Sequence, residues 1–222
     1  MVIGLCVSRF RELGLTVRQS NDFNSVVPLV ETLGKPYLTP QLSPNWQEFT
    51  KKNALWLVAE DNVGDALAAI GVRLDQLADE PLSDYWLRQL MRFYGDGKKS
   101  PINVKHFPPI TKQITGNAVY FGDLFVKPNG RGQPRFPLRA FSVMAYSLAL
   151  LGWKVDWFYA FAKDKHIRQG IQSQYMMASS YPFVHYWEEP KPQRTDTYWM
   201  ICMNGEDAHY MVETALERAD FF

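Results

Sequence analysis

Between Leu124 and Val155 the chain carries Lys127, Arg131, Arg135, Arg139 and Lys154 and no acidic residue. The stretch reads as the end of a strand, a short loop and the start of a helix. A basic loop running into a helix N-terminus offers outward-pointing N–H groups and the positive end of the helix dipole. Guanidinium groups there can also grip phosphate bidentately. The chemistry this serves is the binding of a phosphate or pyrophosphate; the bland alternative is a solvated basic face. The formal charge of the whole chain is only +1, so the bias is local. That near-neutrality argues against a general nucleic-acid binder and against a polybasic membrane anchor.

The elements that must position this loop follow from periodicity. AVYFGDLFV (118–126) is a strand entering the loop, and 137–151 is the helix leaving it. Pro137 suits a first helical turn, where its missing N–H is an orphan anyway. Upstream, 13–19 alternates like a half-buried strand, 20–34 suits a short helix ending at Gly34, and 45–52 suggests a second one. ALWLVAE (54–60) and 65–77 form a hairpin about the turn at Asp61, Asn62 and Gly64. SDYWLRQLMRFYG (83–95) is an amphipathic helix followed by a long polar loop, and the two form an insertion over about 79–112. Downstream come a strand (152–162), a helix (163–177), two strands (180–189 and 197–204) and a final helix (205–219).

At 222 residues, with 46% hydrophobic and 21% charged residues, the chain is expected to form one globular domain over 1–222 with a real core. Its alternation of strands and helices suits a mixed α/β domain. Two cysteines, Cys6 and Cys202, are too few for a disulfide framework, and no Cys/His spacing suits a metal. No apolar run approaches the roughly 18 residues needed to span a bilayer. A cytoplasmic setting with no membrane partner is the expectation.

The order strand, two helices, hairpin, strand, basic loop, helix, strand, helix, two strands resembles the GNAT superfamily of acyl-CoA N-acyltransferases. In that family a strand like D-L-Y-V-x-P leads into a loop like R-G-x-G-x-G/A and a long apolar helix. Here the chain reads Asp123-Leu124-Phe125-Val126-Lys127-Pro128, then Arg131-Gly132-Gln133-Pro134-Arg135-Phe136. The resemblance covers 13–204 loosely and 118–151 sharply, and it implies an α/β (α+β) fold with a mixed, mostly antiparallel central sheet flanked by helices. It departs where Pro134 and Phe136 replace the small residues that let the backbone approach the coenzyme's pyrophosphate. Proline donates no hydrogen bond there, and phenylalanine adds bulk. Arg131, Arg135 and Arg139 are candidates to compensate.

The resemblance implies an N-acyltransferase, expected to be an acetyltransferase, that moves an acyl group from acetyl-CoA or another acyl-CoA to an unknown small-molecule or peptide amine, with no metal. A homodimer is compatible with it. The acyl-CoA is expected against Leu124, Phe125, Val126, Arg131, Gly132, Gln133, Pro134, Arg135 and Phe136, with the thioester carbonyl on the backbone at Phe125 or Val126. Asp123 and Glu60 are the candidate bases. By the family's habit of a tyrosine on the helix after the next strand, Tyr175 is the candidate acid and Tyr181 a second. The family's Y-x-x-x-G-F setting is absent around Tyr175. His166 begins the same helix; His185, in FVHYW, reads as a strand residue with a satisfied hydrogen bond. Two alternatives stay open: a catalytically silent GNAT-like binding module, and an acyltransferase drawing on a carrier protein or a charged tRNA.

Overall fold

The computed structural model describes residues 1–35, 37–95, 101–103, 107–128, 136–188 and 198–218. The elements run α1 (Val2–Glu12), β1 (Thr16–Ser20), α2 (Phe23–Thr32), β2 (Ala54–Glu60), β3 (Ala66–Ala78), α3 (Leu82–Tyr94) and β4 (Gly116–Val126). They continue as α4 (Leu138–Gly152), β5 (Trp157–Lys163), α5 (Asp164–Arg168), α6 (Ile171–Tyr175), β6 (Ser179–Tyr181), β7 (Tyr198–Asn204) and α7 (Gly205–Glu217). The strands form one sheet in the order β1-β2-β3-β4-β5-β7-β6. Every neighbouring pair is antiparallel except β4 and β5. The mixed, mostly antiparallel sheet expected from the sequence is therefore present.

Strand alternation sorts the core into two layers. Leu55, Leu57, Ile70, Val72, Val119, Phe121, Phe158 and Ile201 face one way, onto Cys6 and Phe10 of α1 and the nearly all-buried α4. Trp56, Val58, Ala69, Tyr120, Tyr159, Met200 and Cys202 face the other, onto Val26 and Val30 of α2 and Trp86 and Leu90 of α3. A sheet covered on both faces explains why β2 reads as an unbroken apolar run. Burial pushes the Cys6 and Cys202 thiols up to about 12, in keeping with core residues.

Four elements differ from the sequence reading. α1 is a helix where the sequence reading assigned no element; Val2, Cys6 and Phe10, four apart, supply its buried stripe. Residues 45–52 are turns, not a helix. There the Asn53 side chain accepts from the Thr50 N–H at 2.7 Å and donates to the Glu48 carbonyl at 3.1 Å, a local arrangement that competes with helical bonding. The helix read over 163–177 is two short ones, because Gly170 adopts φ +82° between them. The strand read over 180–189 is confined to Ser179–Tyr181.

Candidate functional site

The parallel pair β4–β5 is short. Ala118, Val119, Tyr120 and Phe121 pair with Trp157, Phe158, Tyr159 and Ala160, and there the ladder stops. Both strands nevertheless continue, β4 to Val126 and β5 to Lys163. Each keeps its outer partner: Val126 remains opposite Ala68 of β3, and Lys163 opposite Tyr198 of β7. The strands therefore part like the arms of a V. The backbone of 122–126 faces the opening with no strand across from it, and ligand crevices in sheets form at such carboxyl ends of parallel strands.

The parting has a local cause. Between Gly122 (opposite Gly71) and Phe125 (opposite Ala69), β4 takes three steps while β3 takes two. The extra residue is a bulge, and Asp123 in it adopts φ +52°, a left-handed conformation aspartate tolerates better than most side chains. Gly122 is required beside it, since a Cβ there would lie 2.4 Å from the Tyr120 ring. The bulge is clamped from outside the sheet. Lys35 Nζ stands 2.7 Å from Asp123 Oδ1, while the Thr39 N–H (3.0 Å) and hydroxyl (2.8 Å) donate to Oδ2.

The opening is a cavity of about 620 Å³ that passes between the two layers. On the α4 side it is lined by Leu124, Val126, Leu138, Ile171 and Tyr175, and on the α3 side by Tyr37, Gln41, Leu90, Phe161, His185 and Trp187. Lys163, Lys165 and His166 stand at the end of β5 and the start of α5. Leu138 is the first residue of α4, so that helix N-terminus opens on the cavity.

Asp123 and Tyr175 of the sequence candidates meet here. Burial, and then the Asp123 charge, push the Tyr175 phenol well up, so it is protonated at neutral pH. The Tyr146 hydroxyl donates to the Tyr175 carbonyl at 2.6 Å and ties the end of α6 to α4. His166 is held below its usual value by desolvation, then by the Lys165 and Lys163 charges. Leu124, Phe125 and Val126 line the cavity as well. Glu60 does not: it pairs with Arg18 at 2.7 Å where β2 meets the edge strand β1. Tyr181, on β6, is not among the lining residues.

Phe136 packs into the core, 5.7 Å from the Phe10 ring and 5.4 Å from that of Phe141. Its bulk therefore has a place to go other than the loop's interior. Arg131, Gly132, Gln133, Pro134 and Arg135 lie outside the described residues. His185 is not in a strand; it is buried against Trp86, Phe161, Trp187 and Tyr198. Lys35, Thr39, Lys163 and Lys165 were missed by sequence reasoning, and no local motif marks them. Among the described residues, no three His, Cys, Asp or Glu side chains gather where they could hold a metal ion.

No family model matches the chain, and no curated protein does. Among solved structures, Arabidopsis thaliana NAA60 in complex with acetyl-CoA is similar at TM-score 0.48 and 11% identity, over 86% of this chain and 99% of that one. A GNAT superfamily phosphinothricin acetyltransferase from Sinorhizobium meliloti with acetyl-CoA gives 0.45 and 12%, over 86% and 88%. A spermidine N-acetyltransferase from Vibrio cholerae with CoA and spermine gives 0.45 and 10%, over 88% and 98%. At such low identity the likeness concerns the course of the chain and leaves the chemistry to the site itself.

Proposed function

We propose that the protein is an acyltransferase that moves an acyl group, expected to be acetyl, from acyl-CoA to an amine across the parted strands β4 and β5. The observation that carries this is the gap itself: a passage between the two layers, walled by the β5-facing edge of the 122–126 backbone and opening at the N-terminus of α4. The donor's phosphates sit on the α4 side, where the helix amides receive them; Arg131 and Arg135, which precede that helix in the sequence, are expected to add charge-assisted hydrogen bonds. The thioester carbonyl lies against the backbone at Phe125 or Val126. The acceptor enters from the α3 side.

In the reaction the amine nitrogen attacks the thioester carbonyl carbon, and the developing oxyanion is held by the β4 backbone. The C–S bond breaks as the N–C bond becomes an amide. Tyr175, kept protonated by its burial, gives its proton to the departing sulfur. The proton lost by the amine passes to His166, which is neutral near pH 7, or to water. Asp123, already engaged by Lys35 and Thr39, holds the bulge rather than serving as the base.

A catalytically silent binding module is the second reading, and Pro134, which has no N–H to offer phosphate, favours it. Isothermal titration with acetyl-CoA and CoA separates the two. Micromolar binding that falls about tenfold or more in Arg131→Ala/Arg135→Ala is expected from lost charge-assisted hydrogen bonds. Absence of binding to the unaltered protein removes the coenzyme reading.

A further inference from the structure

The α3-side end of the cavity is built of rings. Tyr120, Phe161, His185, Trp187 and Tyr198 line it with Leu90. Phe161 lies 4.6 Å from His185 and 5.9 Å from Tyr120, and His185 lies 6.1 Å from Trp187. Trp86, 4.8 Å from Phe161, backs the group. Flat walls several residues deep accept a flat apolar body, by stacking or edge contact.

The charges around that end point the same way. Among the described lining residues Lys35, Lys163 and Lys165 are cationic, and Asp123 is the one acid. Asp123 is already neutralised by Lys35 at 2.7 Å. The Arg73 guanidinium lies 5.5 Å from the Tyr120 centroid, so a cation already occupies one face of that ring. A polyamine brings several positive charges and needs acidic partners for them. A cavity wall with surplus cations repels it, whereas a carboxylate on the ligand is attracted.

Resting on the acyltransferase reading, we propose that this end is the acceptor subsite and that the acceptor is a ring-bearing alkylamine: one primary amine on a short chain from a flat ring system, with no second cation. The ring would lie against the cavity-lining rings of Phe161, His185 and Trp187, leaving the amine toward the β4 backbone. A carboxylate beside the amine would face the lysines, so an aromatic amino acid and an arylalkylamine are the two sources of one chemistry.

The test uses the full chain, with tryptamine, L-tryptophan and spermidine as probes, each titrated calorimetrically and offered as acceptor with acetyl-CoA. At least one aromatic probe is expected to bind about tenfold or more tightly than spermidine. Phe161→Leu and Trp187→Leu, checked for folding by circular dichroism, should weaken that binding about tenfold and leave acetyl-CoA affinity intact. Trp187 lies outside the regular elements, so its variant is informative even if Phe161→Leu misfolds. Tryptophan above tryptamine assigns a role to the lysines; the reverse order assigns the subsite to a simple arylalkylamine. Spermidine binding as tightly as the aromatic probes, or aromatic binding indifferent to both substitutions, overturns the proposal. Because the probes are titrated without coenzyme, failure of acetyl-CoA to bind would remove the acyltransferase reading while the aromatic titration still decides the subsite.

Discussion

Asp75 on β3 and Asp123 on β4 are both buried carboxylates, each paired with a cation at 2.7 Å, yet their surroundings differ. Asp75 is closed off. Arg73 contacts both its oxygens, the Tyr85 hydroxyl donates to Oδ1 at 2.6 Å, and the Tyr159 hydroxyl donates to Oδ2 at 2.6 Å. Burial would by itself lower the hold of Arg73 on its proton, but the charge of Asp75, then Tyr85 and Tyr159, outweighs it and keeps the guanidinium charged. Burial and the Asp75 charge raise both phenols. The network links β3, α3 and β5 and leaves Asp75 no room for a substrate. Asp123 lines the cavity instead, in a left-handed bulge whose clamp comes from a loop. A saturated network fixes a fold, whereas a clamped bulge at a cavity wall fixes the geometry of an opening.

Three substitutions sharpen that contrast. Arg73→Met strands the Asp75 charge in the core and should cost about 3–5 kcal/mol in urea unfolding. A cost below about 1 kcal/mol would mean the network is not what joins α3 to the sheet. Lys35→Met removes half of the Asp123 clamp while the Thr39 donors remain. Its stability cost should be about 1–2 kcal/mol. Turnover should fall about 10- to 100-fold as the β4 backbone shifts, with the KM for acyl-CoA little changed. Equal losses in stability and turnover would make Asp123 a second Asp75. Glu60→Gln breaks only a partly exposed pair with Arg18 and should change stability by at most about 0.5 kcal/mol and turnover not at all. A large loss of turnover there would restore Glu60 as a base and move the active site toward the β1 edge.

Much of the frame was legible because its signals are local. The apolar run of β2, the hairpin to β3, the strand into β4 and the helix α4 each announce themselves within a dozen residues. The stripe Val2, Cys6 and Phe10 could have revealed α1, had its four-residue spacing been weighed. The turn at 45–52 was hidden because one side chain, Asn53, decides it. Around the site, Tyr175 and the Leu124–Val126 segment came from the resemblance and do line the cavity. The Lys35–Asp123 clamp joins residues far apart in the chain, and no spacing rule reaches that far. The same holds for the ring cluster, assembled from α3, β4, β5, β7 and the segment before it.

The sequence by itself determined most of the succession of strands and helices, the lopsided basic stretch and the strand that leads into it. Those depend on alternation, turn chemistry and charge along neighbouring residues. Only the tertiary structure decided that β4 and β5 part after four paired residues, that Asp123 is a clamped bulge rather than a free carboxylate, and that the passage between them is aromatic at one end. Those features arise from which strands lie side by side and which side chains then share a space, and pairing over long separations is what a linear pattern does not encode.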